Sequence, residues 1–135
     1  MGKRRTSRRL AMQAVYQAEV SGMDIEQSLS NLFENESFVP ETIAFATELA
    51  TSTWSQREKI DGIIEKLAIE WPLDRIGKVD RSLLRISLCE LMGKESPPSV
   101  IINEAVELAK KYSSEEAAKF INGILGAWIK TSKDS

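Results

Sequence analysis

The chain has 135 residues, 42% of them hydrophobic, with 18 basic and 20 acidic side chains for a net charge of −2, no histidine and one cysteine. That length buries a full core, and size statistics predict one domain over residues 1–135. No apolar run approaches the roughly 18 residues of a membrane span, the lone Cys89 excludes an internal disulfide and fits a reducing cytoplasm, and the missing histidine removes the commonest general base and nitrogen metal ligand.

The near-neutral total conceals an uneven distribution. Lys3, Arg4, Arg5, Arg8 and Arg9 make a basic arm over about residues 1–9, and the next basic residue is Arg57. Residues 10–56 carry seven acids instead, and the chain without its arm has 13 basic against 20 acidic residues. Contact with a polyanion, most naturally nucleic acid, is therefore expected to be local and oriented. A basic terminus is equally compatible with a disordered, solubilising tail. Gln13, Gln17 and Glu19 break the apolar stretch that a secretory signal would need after the arm.

Apolar spacing is helical nearly throughout and predicts seven helices. The first runs from about Thr6 to Val20 and ends near Ser21-Gly22. The second starts at Asp24, where Asp24-x-x-Gln27 has capping-box spacing. A loop near Asn35 to Val39 precedes Pro40, which suits the first turn of a third helix through about Thr53; a fourth covers Gln56 to Ile69. The fifth, about Ile76 to Met92, is apolar around most of its circumference apart from a stripe of Lys78, Arg81 and Arg85, and so is expected at the centre of the bundle. Pro97-Pro98 breaks the chain, with Ser99 as candidate cap of a sixth helix to Tyr112. Its polar face, Glu104 and Glu107 included, reads as solvated surface. Ser113-x-x-Glu116 opens the seventh helix, which buries Ala117, Ile121, Ile124, Leu125 and Trp128.

Projected at about 100° per residue from Arg5, the first helix places Tyr16, Arg9 and Gln13 at about 20°, 40° and 80°, while Leu10, Ala11, Ala14, Val15 and Ala18 span about 140° to 280°. One face is thus built for the core and one for a partner. Guanidinium groups pair with phosphate and an exposed aromatic ring stacks on an unpaired base, which favours single-stranded nucleic acid. No comparable signal for catalysis exists: Cys89 sits in the apolar fifth helix, the acidic pairs lie at helix surfaces or starts, and no phosphate-binding glycine motif occurs. Neither an enzyme nor a cofactor is expected.

Arg8-Arg9, Ala11, Gln13-Ala14 and Tyr16 resemble the opening helix of the family of the bacterial transcription antitermination factor NusB. The resemblance extends through Val79-Asp80-Arg81-Ser82-Leu83-Leu84-Arg85-Ile86, then Pro98 to Lys110 around Ile102-Asn103-Glu104-Ala105, then Lys119-Phe120-Ile121-Asn122-Gly123-Ile124-Leu125, in the family's order and across essentially the whole chain. It implies an all-helical fold of two small packed helical subdomains and a non-enzymatic role in processive antitermination of ribosomal RNA transcription. It also implies pairing with NusE, a small-subunit ribosomal protein, on boxA RNA, with RNA polymerase engaged indirectly.

By this resemblance Lys3, Arg4, Arg5, Arg8 and Arg9 face RNA, with Gln13 an extension along their stripe. Glu116, Lys119, Phe120 and Asn122 form a second RNA-facing element. Tyr16, Asp74 and Asp80 face NusE, although the helical projection sets Tyr16 beside the RNA stripe. Asp80 also suits a helix N-terminus, Phe120 boundary packing, and Gly123, beside Ala127, a close helix contact. Five phosphate contacts would give a log-log salt slope of about −3.5, flattened by Arg8→Ala with Arg9→Ala at intact helicity. The alternative is a NusB-like module serving an RNA-modifying enzyme in trans.

Overall fold

Seven α-helices are found in the computed structural model, which describes residues 2–69 and 71–133, and the side chains of 4–69 and 71–132; no strand occurs among the described residues. They are α1 (Gly2–Ser21), α2 (Ile25–Glu34), α3 (Pro40–Ser55), α4 (Arg57–Leu67), α5 (Lys78–Gly93), α6 (Pro98–Tyr112) and α7 (Glu115–Lys133), with a short 3-10 turn at Leu73–Arg75.

The boundaries follow local chemistry. Gly22, at φ 77°, takes the left-handed conformation that stops α1, and its N–H donates to the Ala18 carbonyl at 3.0 Å. Asp24 occupies the cap position of α2, but its carboxylate makes no capping hydrogen bond, and Gln27 donates to Asn31 instead. Pro40 and Pro98 each stand at the start of a helix, where the missing N–H costs nothing. Pro97 is therefore the cap residue of α6, and Ser99 lies inside its first turn. The hydroxyl that caps α7 belongs to Ser114, one residue beyond the expected Ser113, and accepts from the Ala117 N–H at 3.0 Å.

Helix α5 is central, with ten consecutive buried residues from Ser82 to Leu91. Leu83, Leu84, Ile86 and Leu88 are each at most 2% exposed, a burial stabilising by about 1.5–3 kcal/mol per side chain. Helices α1–α3 pack on one another, α4–α7 do likewise, and α5 joins the two groups through α1 and α3. One apolar cluster nevertheless draws residues from all seven helices. Arg85, expected on a polar stripe of α5, is buried within this junction. Its Nε and Nη2 donate to Asp61 at 2.8 and 2.7 Å, and its Nη1 donates to Glu19 at 2.7 Å, tying α5 to α4 and α1.

Candidate nucleic-acid interface

The arm is the first turns of α1, and helical phase sorts its cations into different situations. Lys3 lies on α1 with its side chain outside the described residues. Arg4 is exposed and sets its guanidinium carbon 4.0 Å from the centroid of the Phe45 ring on α3, a cation-π stack. The Arg5 side chain is 57% exposed, yet its fork donates to Glu104 of α6 at 2.7–3.2 Å, and that hydrogen bond holds its pKa above the ordinary value. Arg9 is half-buried and donates to Gln13 at 3.2 Å.

Arg8 departs from the expectation that it faces RNA. It is 5% exposed and donates through Nε and Nη2 to the two Glu90 oxygens at 2.9 and 2.6 Å, with Nη1 at 3.5 Å from Glu104. Burial alone would lower its pKa; the hydrogen bonds and charges of Glu90 and then Glu104 outweigh that and raise it, so the group stays charged. The reason is phase: at about 300° on the helical projection Arg8 lies between Val15 and Met12, both buried. Glu104, expected on a solvated face, is buried for the same cause, bridging Arg5 and Arg8.

Other elements extend this face. Arg5 and Arg9 line a groove of about 430 Å³ against α6, whose far wall carries Lys110, Lys111 and Tyr112. A second groove of about 520 Å³ runs between α6 and α7 and is lined by Asn103, Lys110, Lys119 and Asn122. Lys110 borders both, so cations of α1, α6 and α7 form one track across the α6 ridge. Sequence reasoning missed Lys110 and Lys111, although two basic residues at the end of an amphipathic helix were visible there. Glu116, Lys119 and Asn122 are exposed on α7, whereas Phe120 is half-buried against the core. Gly123 is exposed, and a Cβ there would meet nothing within 4 Å, which removes the close helix contact expected of it.

The expected partner-facing residues lie elsewhere. Tyr16 is 38% exposed and, like Gln13, is absent from the lining of the groove that holds Arg5 and Arg9. Asp74 is exposed in the 3-10 turn, and Asp80 is half-buried in the first turn of α5. One Asp80 oxygen and the Nε of Arg81 are buried without a hydrogen-bond partner. Asp74 and Arg81 line a groove beside the exposed Ile69 and Trp71.

A model of the NusB family matches residues 5–130. The chain is 41% identical over 128 residues to the transcription antitermination protein NusB of Acetivibrio thermocellus, covering 94% of this chain and 88% of that protein. It is 44% identical over 124 residues to the protein of the same name from Heliobacterium modesticaldum, covering 91% of this chain and 60% of the length of that relative. Its fold is similar to a crystal structure of antitermination factors NusB and NusE in complex with dsRNA, at a TM-score of 0.90 and 31% identity over 97% of this chain and 98% of that one. The chain belongs to the NusB family of transcription antitermination factors, proteins that are not enzymes. Among the described residues no helix is long and apolar enough to cross a membrane.

Proposed function

We propose that this chain acts in the cytoplasm with NusE, binding the boxA sequence of nascent transcripts and supporting processive transcription of ribosomal RNA by the antitermination complex. The observation that carries this reading is the convergence of Arg5 and Arg9, Lys110 and Lys111, and Lys119 on the two grooves flanking α6. Basic groups spaced along a track hold a phosphate backbone, while Phe120 and Asn122 offer stacking and hydrogen bonds to unpaired bases. Tyr16, Asp74 and Asp80, set apart from that track, offer a phenol and carboxylates to a basic protein.

With Arg8 buried against Glu90 and Glu104, the arm offers at most four cations and the three lysines of α6 and α7 bring the upper bound to seven, since Arg5 is already shared with Glu104 and Lys110 with Glu107. The corresponding log-log salt slopes for single-stranded RNA are about −2.8 and −4.9. Fluorescence anisotropy with boxA RNA and a scrambled RNA of equal length, with and without NusE, tests the reading. Tighter binding with NusE and discrimination against the scramble are expected. Equal, weak binding to both RNAs regardless of NusE would overturn it and favour a role beside an RNA-modifying enzyme.

A further inference from the structure

A groove of about 1000 Å³ opens between α1, α3 and the start of α6. Its chemistry differs from that of the basic track. On its floor the charge of Arg8 is matched by Glu90 and Glu104, and Glu104 also holds Arg5. The α3 wall carries Glu41 and Glu48. Arg4 is the lining cation that forms no ion pair among the described residues. A phosphate entering this space finds the floor arginines already held by carboxylates and Glu48 on the α3 wall, which weakens its hold there. A planar, uncharged group meets a different surface. The guanidinium of Arg4, supported from beneath by Phe45, is a flat platform for a second ring. Pro97 and the exposed Val100 give an apolar flank, and the exposed Asn103 has both a donor and an acceptor for a base edge.

Asn103 is thus shared by the groove that contains Lys119 and Asn122 and the groove that contains Arg4. We propose that the groove between α1, α3 and α6 is a nucleobase subsite, in which one unpaired base stacks on the Arg4–Phe45 pair and is hydrogen-bonded by Asn103. The subsite rests on the RNA-binding reading above and adds the point at which a single base is read.

The test is a double-mutant cycle on the complex with NusE. Single abasic nucleotides are placed in turn along boxA RNA and combined with Arg4→Lys, which keeps the charge and loses the plane. At one position, removal of the base is expected to weaken wild-type binding about tenfold and to cost the Arg4→Lys variant almost nothing. Asn103→Ala should couple to the same position, and the salt slope of Arg4→Lys should equal that of the wild type. An Arg4→Lys cost that is the same whichever base is removed, or no cost at all, would overturn the subsite while leaving RNA binding in place. Absence of boxA binding by the wild-type complex would instead remove the RNA-binding reading itself.

Discussion

Replacing Arg8 with alanine strips the counter-charge from Glu90, which is itself 9% exposed. Breaking one side of a buried pair costs about 3–5 kcal/mol, and for a domain of this size thermal denaturation should report a fall of more than about 10 °C. Arg9→Ala, at a half-buried position whose partner is its own neighbour Gln13, should stay within about 0.5 kcal/mol of wild type. The joint substitution therefore confounds stability with binding, and only Arg9 isolates the RNA face. A second ion cluster makes a pH prediction. The hydrogen bond from Arg85 holds the Glu19 carboxyl below its ordinary value of 4.5. Its stabilisation is present above that value and is lost as pH falls through the lowered one. The Tm gap between wild type and Glu19→Gln, read from melts, should be full at pH 7 and close below about pH 4.5.

Helix boundaries were largely legible because proline, glycine and apolar spacing act locally: α3 starts at Pro40 and α6 ends at Tyr112, as the periodicity predicts. The start of α1 was not legible. A first turn with cations and no acid opposes the helix dipole, so Gly2 to Arg5 reads as a tail. What supports that turn is tertiary, the contacts of Arg4 with Phe45 and Arg5 with Glu104, and those partners lie about 40 and 99 residues away. The same limit hid the buried role of Glu104. The end of α5 carries a local irregularity: Lys94 caps it at φ 59° while the glycine stands one position earlier, at Gly93. Lys94→Gly should relieve the left-handed strain and raise stability by up to about 1 kcal/mol in denaturant unfolding, with no change in RNA binding.

At the scale of the molecule, buried charge ties the helices of one scaffold together. Ion clusters fix the helices that carry them: Arg8 with Glu90 and Glu104 couples α1, α5 and α6, and Arg85 with Asp61 and Glu19 couples α5, α4 and α1. The candidate site was legible in part. The basic stripe of α1 and the Lys119-to-Asn122 element of α7 were visible as separate sequence features. That α6 lies between them, with Lys110 and Lys111 completing the track, depends on how three amphipathic helices pack, which no single periodicity encodes.

The salt dependence of boxA binding by the NusE complex, compared between wild type and Lys110→Ala with Lys111→Ala, probes that track most directly. Two lost phosphate contacts should flatten the log-log slope by about 1.4, with helicity intact. An unchanged slope would mean that RNA does not cross α6, and the continuous track from α1 to α7 would have to be abandoned.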